Sequence, residues 1–164
     1  MGKINSFKKT VNLLNSRKNK KVCLIIGCFD ILHKGHTALF RFSKKNSDLL
    51  VVGIENDKTI KRSKGVKRPL NSLSKRLKNL SKLEEIDYVF PIDFVVKFGD
   101  RNVSKFYIPI LKKIKPYVFC TNIYKDKYWK EKEKIVKNFG INFLKHEAKI
   151  NISTTKILND RNYI

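Results

Sequence analysis

The sequence predicts a single doubly wound α/β domain, in which a five-stranded parallel sheet carries helices on both faces. Short apolar runs of strand length alternate with helical patterns along nearly the whole chain of 164 residues. This alternation is typical of successive βαβ units. The strand runs are continuously apolar, as expected of strands that are covered on both faces. No internal repeat or low-complexity segment interrupts them.

The first twenty residues are predicted to be a basic arm appended to the domain. Residues 1–20 are polar and basic, with one short amphipathic stretch from Phe7 to Leu14. The domain itself is expected to occupy residues 21–164. Charges interrupt the apolar residues of the arm, so it does not have the apolar centre of a secretory signal.

The first half of the domain is predicted to contain three strands, over residues 22–26, 49–54 and 88–90. A helix over residues 37–45 connects the first two strands. Asn71 or Ser72 can cap a later helix that carries Leu77, Leu80 and Leu83. Between these elements, residues 58–70 are basic, lack an apolar stripe and contain a proline, which predicts a loop.

The second half is predicted to contain two further strands, over residues 116–120 and 141–144. Helices are expected over residues 103–114 and 127–139, and Gly140 ends the second of them. Ser153 then caps a last helix that carries Ile157 and Leu158.

The net charge of +23 has two interpretations. A basic surface attracts anions such as nucleic acid, membrane headgroups or phosphorylated metabolites. However, 30 of the 37 basic residues are lysine, and asparagine occurs 15 times. Both residues have AT-rich codons, so compositional drift explains the charge equally directly. Because the lysines are scattered rather than clustered, drift is favoured and a nucleic-acid partner is not expected.

The cysteines and the hydropathy pattern indicate a cytoplasmic protein without a membrane partner. The three cysteines are an odd number with no close pair, which predicts neither a disulfide framework nor a CxxC zinc site. No apolar run approaches the roughly 20 residues that span a bilayer.

The segment GCFDILHKGH, residues 27–36, carries the strongest functional signal. It follows the first strand and opens a helix, so it lies at the carboxyl edge of the sheet, where ligands bind in this fold. Gly27 permits a tight turn and Gly35 a close approach of ligand to main chain. A metal site on Cys28, His33 and His36 and a plain surface turn are the alternatives. A phosphate site is favoured, because the amino terminus of a helix attracts anions.

Three segments resemble the motifs of the cytidylyltransferase-like nucleotidyltransferases. His33–His36 resembles the HxGH signature, residues 64–69 (KGVKRP) resemble a basic loop with Arg-Pro, and residues 152–157 (ISTTKI) resemble a Ser-Thr-Thr signature. The resemblance extends from about residue 21 to residue 157. It implies a Rossmann-like fold and transfer of AMP or CMP from ATP or CTP to a small phosphorylated metabolite, with release of pyrophosphate.

The resemblance also implies roles for individual residues. By this resemblance, the catalytic residues are expected to be His33, His36 and Lys64. The nucleotide is expected to contact Gly27, Cys28, Phe29, Gly35, Asn122, Tyr124, Ser153, Thr154 and Thr155. The acceptor phosphate is expected to contact Asp30, Lys67, Arg68 and Arg76. Magnesium is expected as a cofactor that accompanies the triphosphate, without a metal site on the protein, and a homodimer is compatible with the family.

Some of these residues have simpler interpretations. The lysines of residues 61–67 would also form a solvated charge run, and Ser153 would also serve only as a helix cap. Asp30 would otherwise fix its turn, and Arg76 would otherwise lie on a helix surface.

The acceptor is the least defined part of this prediction. Gly-Cys-Phe-Asp at residues 27–30 most resembles heptose-phosphate adenylyltransferases, so a sugar or polyol phosphate such as heptose 1-phosphate is expected. Glycerol-phosphate cytidylyltransferases and FAD synthases are the alternatives. Residues 148–151 (AKIN) differ from the Arg-Thr-Glu-Gly typical of glycerol-phosphate enzymes. Residues 121–124 (TNIY) lack the acidic residue of the family's Gly-Asp-aromatic segment. This second departure leaves open an inactive domain that only binds nucleotide or nucleic acid.

Overall fold

A six-stranded parallel sheet forms the centre of the protein. The computed structural model describes residues 2–95 and 103–149. The strands are β1 (Lys3–Ile4), β2 (Val22–Gly27), β3 (Leu49–Glu55), β4 (Tyr88–Ile92), β5 (Val118–Asn122) and β6 (Asn142–His146). Their order across the sheet is β1-β4-β3-β2-β5-β6, and every neighbouring pair is parallel. The prediction of a parallel α/β sheet is therefore confirmed, with one strand more than expected.

Helices cover both faces of this sheet, as the sequence predicts. They are α1 (Phe7–Asn15), α2 (Lys34–Lys45), α3 (Asp57–Lys64), α4 (Leu73–Ser81), α5 (Val103–Ile114) and α6 (Trp129–Asn138). Leu14, Tyr107 and Val136 bring α1, α5 and α6 into the apolar core on one face. Phe40 and Leu80 bring α2 and α4 into the core on the other face. The alternating side chains of the buried strands divide between these two cores.

The amino-terminal segment is part of the sheet and not an appended arm. Strand β1 extends the sheet beyond β4, with Lys3 opposite Tyr88. The side chain of Ser6 caps α1 by accepting a hydrogen bond from the Lys9 amide. Leu14 is buried, and Phe7 packs against the same core. Because this segment is rich in basic residues, the sequence does not show clearly that the apolar stripe of α1 packs against the sheet.

The segment predicted as one loop, residues 58–70, begins instead as helix α3. The Asn56 side chain caps this helix by accepting from the Thr59 amide at 2.9 Å. Asp57 provides a negative charge in the first turn, which favours the helix dipole. Ile60 is fully buried, so one apolar residue fixes the helix although it has no full stripe. The remainder, from Gly65 onward, is irregular and contains a cis bond before Pro69.

The other elements lie within a few residues of their predicted positions. Ser72, rather than Asn71, caps α4 through a hydrogen bond from the Lys75 amide. Gly140, which follows the end of α6, has a φ of 68°, the left-handed conformation expected of a residue that ends a helix. The predicted last helix, which begins at Ser153, lies outside the described residues.

Candidate active site

The carboxyl edge of the sheet brings together the ends of β3, β2 and β5. These are neighbours in the sheet, although β5 follows β2 in the chain only after two further strands. The strand order therefore switches direction beside β2, which is the ligand-binding position in doubly wound sheets. A surface depression of about 690 Å³ lined by residues 15–20 lies where β2 begins, at the opposite end of the sheet.

Two stacked histidines lie at this edge, at the amino terminus of α2. His33 occupies the N-cap position, with extended backbone, and α2 begins at Lys34. The His33 and His36 rings are 3.8 Å apart between centroids, with an angle of 21° between their planes. Both Nδ1 atoms are buried and have no hydrogen-bond partner. Because buried polar atoms normally have partners, this pair is suited to a polar ligand at the helix terminus.

Both imidazoles are held in the neutral form. Burial lowers the pKa of His36 to about 3, and the neighbouring His33 ring and Lys64 ammonium disfavour its protonation further. Burial also lowers the pKa of His33, and the charge of Lys125 adds to it. Lys64 is exposed at the end of α3, so its ammonium group is available to a ligand beside His36. Lys67 is also exposed, in the loop that follows.

The Phe29 ring packs against His36 and is not exposed to a nucleotide. Its ring is buried and meets His36 edge-on, with 5.2 Å between centroids. Its φ of 48° turns the chain after β2. A Cβ at Gly27 would lie 2.9 Å from the tip of this ring, so the missing side chain at Gly27 makes room for Phe29. The Phe29 ring is therefore closed to a nucleotide, and the predicted nucleotide contact stays a prediction for its main chain.

Cys28, the other predicted nucleotide contact in this turn, is only half-buried. Burial raises the pKa of its thiol, so it is not an activated nucleophile. Gly35 is the second residue of α2. It therefore lies in the first turn of the helix, at the carboxyl edge of the sheet.

Asp30 and Arg68 hold each other and are not open to an acceptor phosphate. Asp30 is 2% exposed, and its carboxylate pairs with the Arg68 guanidinium at 2.6 Å. It also accepts hydrogen bonds from the amides of Leu70 and Asn71. Burial alone would raise the pKa of Asp30, but the two amides and Arg68 lower it below its ordinary value. The pair therefore joins the loop after β2 to the loop before α4.

Arg76, predicted to contact the acceptor phosphate, is fully buried and is engaged by groups of the protein. Its guanidinium donates to the carbonyl oxygens of Cys28 at 2.7 Å, Glu55 at 2.9 Å and Asn71 at 3.1 Å. It also pairs with the Asp57 carboxylate at 2.7 Å. These bonds join the ends of β2 and β3 to the starts of α3 and α4. Arg76 is thus a positioning residue for the loops of the site.

At the end of β5, Asn122 is buried and Tyr124 is exposed. The Asn122 amide donates to the Ala148 carbonyl at 3.1 Å and lies 2.9 Å from His146 Nδ1, so it joins β5 to the segment after β6. Tyr124 is 49% exposed, and the Lys149 ammonium lies 5.2 Å from its ring centroid. A nucleotide contact therefore remains open to the Tyr124 ring. Ser153, Thr154 and Thr155 lie outside the described residues.

A polar cluster that the sequence does not predict lies on the other face of this edge. Glu55, Tyr107, Asp126 and Lys132 form this cluster, which we call the acid–lysine cluster. Lys132 is 6% exposed and lies 2.6 Å from Asp126. Glu55 is the one charged residue of an otherwise apolar strand, and that is the signal that could have identified it.

Within residues 2–95 and 103–149, no three histidine, cysteine, aspartate or glutamate side chains lie together as a metal site would need. No helix in the same part of the chain is long and apolar enough to cross a bilayer.

Part of the chain is similar in sequence to curated proteins. The bifunctional protein HldE of Campylobacter concisus is 42% identical over 91 residues, which are 56% of this chain and 19% of that protein. HldE of Helicobacter hepaticus is 42% identical over 87 residues, 53% of this chain and 18% of that protein. The matched segment therefore spans less than a fifth of these curated relatives.

Solved structures support the fold. The lipopolysaccharide core biosynthesis protein from Thermoplasma volcanium is 25% identical with a TM-score of 0.62, covering 80% of this chain and 99% of that one. Pantoate-β-alanine ligase from Francisella tularensis is 17% identical, with a TM-score of 0.66. The alignment covers 94% of this chain and 69% of the ligase chain, and at this identity it supports the fold alone. The model of the family described as cytidylyltransferase-like matches residues 24–160. Because that match includes most of the chain, the protein belongs to the cytidylyltransferase-like family.

Proposed function

We propose that the protein is a nucleotidyltransferase that transfers AMP or CMP from ATP or CTP to a sugar or polyol phosphate and releases pyrophosphate. The observation that carries the proposal is the stacked pair His33 and His36 at the start of α2. The pair is neutral and lacks partners for Nδ1, and it lies beside the exposed Lys64. Such a site offers hydrogen-bond donors, a helix terminus and a positive charge to a triphosphate.

The reaction needs positioning and charge neutralisation more than proton transfer. A phosphate oxygen of the acceptor attacks the α-phosphorus, and the bond from that phosphorus to the bridging oxygen of pyrophosphate breaks. A phosphate oxygen is already ionised at neutral pH, so no base has to activate it. The histidines would donate hydrogen bonds to phosphate oxygens, and Lys64 would neutralise charge on the leaving group.

Magnesium fits this site as a companion of the triphosphate. The described carboxylate nearest in sequence to the histidines, Asp30, is committed to Arg68 and to two backbone amides. Magnesium commonly keeps several waters and binds substrate phosphates, and there it would neutralise phosphate charge. The protein's own contribution would be to hold the loops around it through Arg76.

The similarity to HldE proteins supports a heptose phosphate as the first acceptor to test. Glycerol 3-phosphate and FMN are the alternatives from the same family. The choice between ATP and CTP is part of the same experiment.

The test is pyrophosphate release by the purified protein with magnesium. ATP and CTP are each combined with heptose 1-phosphate, glycerol 3-phosphate, FMN, phosphocholine and phosphoethanolamine. We expect turnover with one combination. His36→Ala and Lys64→Ala should lower kcat/KM by about 100-fold or more, because each removes a group that stabilises the transferring phosphates.

Lys61→Ala is the matched control, since Lys61 is an exposed lysine of the same helix α3. It should retain activity within about twofold. Equal losses in Lys61→Ala and Lys64→Ala would mean that only the general positive field matters. Binding of ATP or CTP without turnover of any acceptor would favour a domain that binds nucleotide and no longer transfers it.

A further inference from the structure

We propose that the edge of the sheet opposite the candidate active site binds single-stranded nucleic acid, through a surface that we call the basic end. This surface consists of two segments, residues 15–21 and 112–117, which meet where β2 and β5 begin. Its charged members are Arg17, Lys18, Lys20, Lys21, Lys112, Lys113 and Lys115. The inference is independent of the proposed nucleotidyl transfer.

The fold brings these two segments together from distant parts of the chain. Cys23 in β2 lies opposite Val118 in β5, so the residues just before these strands are neighbours. The Lys21 ammonium accordingly lies 5.3 Å from the centroid of the Tyr117 ring. The scatter of the lysines along the sequence disfavours a nucleic-acid partner, but in the folded protein these basic residues share one surface, as such a partner requires.

The basic end carries positive charge without a carboxylate of its own. Residues 15–21 and 112–117 contain no aspartate or glutamate. All seven basic residues are exposed, and none of them forms an ion pair with another described residue. The field at this surface is therefore positive and open to a polyanion.

The part of the same edge that lies beside α2 has a different charge pattern. Residues 41–48 and 82–87 contain four basic and four acidic residues. Two of the acids are paired, Glu85 with Arg41 and Asp87 with Lys44. Compositional drift raises the number of lysines everywhere, but it does not explain why the acids are on one side of this edge alone.

Lys115 occupies a position at which glycine is usual. It follows the end of α5 with a φ of 47°, in the left-handed region that disfavours a side chain. Gly140 follows α6 at the same edge with a φ of 68°. The dipole of α5 explains Lys112 and Lys113 in its last turn, but it does not require a side chain in the left-handed position. A positive charge at residue 115 is therefore present in spite of the backbone.

The shape of the basic end and its exposed ring favour a single strand. Residues 15–20 line the depression of about 690 Å³, which a flat bilayer surface would leave empty and a phosphate backbone would enter. The ring of Tyr117, next to Lys21, is 50% exposed. Lysine and arginine side chains neutralise phosphates, and exposed aromatic rings stack on bases that are not paired in a duplex.

The test is a fluorescence anisotropy titration of the full-length protein with labelled oligouridylate and oligothymidylate of about 12 nucleotides. A duplex of the same length is titrated in parallel, and sedimentation measures binding to vesicles of phosphatidylcholine and phosphatidylserine. We expect the single strands to bind more tightly than the duplex and the vesicles. The logarithm of the affinity should fall with the logarithm of the salt concentration with a slope of about −2 to −3, as for three or four neutralised phosphates.

A triple variant removes charge from the basic end: Lys18→Gln, Lys20→Gln and Lys115→Gly. It should bind the single strands at least about tenfold more weakly. Because Lys115→Gly relieves the left-handed backbone, the variant should unfold in urea no earlier than the wild type. Its pyrophosphate release should be unchanged, since the six residues of β2, about 20 Å, separate the basic end from the histidine pair.

The matched control removes the same charge elsewhere: Lys75→Gln, Lys78→Gln and Lys134→Gln, at exposed positions of α4 and α6. It should bind the single strands within about twofold of the wild type. Equal weakening by the two triple variants would overturn the inference, because only the net charge would then matter.

Tyr117→Ala tests the stacking contact. It should weaken binding of the single strands about tenfold and leave the duplex unaffected, and Tyr117→Phe should bind as the wild type does. Tighter binding of one of the two oligonucleotides supports the inference and identifies RNA or DNA as the partner. The inference is overturned if neither strand binds at about 150 mM salt, if Tyr117→Ala binds like the wild type, or if the vesicles bind more tightly than the strands.

Discussion

At the scale of a residue, His36 combines two demands that normally conflict. Its ring is packed against His33 and Phe29, which removes water and stabilises the uncharged form. The same ring is expected to meet the most highly charged part of a nucleotide. A phosphate beside it would raise the pKa of His36 from its value of about 3. Substrate binding and proton uptake should therefore be linked at this residue.

The low pKa of His36 predicts a pH dependence of stability. Between about pH 3 and the ordinary value of 6.5, the unfolded chain binds a proton at His36 that the native protein does not. The free energy of unfolding should therefore fall as the pH is lowered from 7 to 5, by at most about 1.4 kcal/mol per pH unit for this group. His36→Gln should show a smaller fall in urea titrations.

Other titratable groups contribute to the pH dependence of both the wild type and His36→Gln. The pKa values of His33 and His146 are also lowered, so they add to the fall. The raised pKa of Glu55 acts in the opposite direction. Parallel pH profiles for the wild type and His36→Gln would show that His36 titrates normally in the native state.

At the scale of an element, α4 organises the loops of the site through a single side chain, that of Arg76. Arg76 reaches from this helix to the main chain at the ends of β2 and β3 and to Asp57 in α3. A guanidinium group can make these bonds together because its donors are fixed in a plane. The position of the turn that carries Asp30 thus depends on a helix nearly fifty residues later in the chain.

Arg76→Lys tests this arrangement. Lysine keeps the charge but cannot reach the three carbonyl oxygens, so buried acceptors lose their partners. We expect a loss of about 3 kcal/mol or more in the free energy of unfolding, measured with urea. Arg41→Lys is the control, since Arg41 is 69% exposed and pairs with Glu85 at the surface. That change should stay within about 0.5 kcal/mol, and similar losses in both variants would contradict the role of Arg76.

The sequence predicts elements well where periodicity is strong. The buried strands and α5 are found where their apolar runs indicate. It fails at α3, because a single buried Ile60 and the Asn56 cap replace an apolar stripe. It fails also for Arg76, since a basic residue on a helix is usually exposed and its burial follows only from contacts made in three dimensions. The acid–lysine cluster is missed for the same reason, as Glu55, Tyr107 and the Asp126–Lys132 pair come from three separate parts of the chain.

At the scale of the whole molecule, the amino-terminal segment completes the fold. Strand β1 covers the edge of β4, and α1 covers one end of the core below it. High positive charge conceals this role in the sequence. The family match begins only at residue 24, so this part of the structure is recognised from packing alone.

Leu14→Ala measures how far the segment supports the domain. Leu14 is 6% exposed in the core under the sheet, and its truncation should lower the free energy of unfolding by about 3 kcal/mol. Lys9→Ala, at an exposed position of the same helix, should have almost no effect. An independent arm would make both substitutions neutral in thermal or urea unfolding, and that result would refute the structural role of α1.

The contact between Gly27 and Phe29 has a consequence for protein engineering. The Phe29 ring fills the space that a side chain at position 27 would need, and it lies between that position, His36 and Phe40. The two positions therefore share one volume, and neither can be diversified independently. A library that varies residue 27 while keeping phenylalanine at 29 would sample mostly displaced imidazoles. Joint randomisation, with a smaller residue at 29 for each larger one at 27, would preserve the packing against the His36 ring.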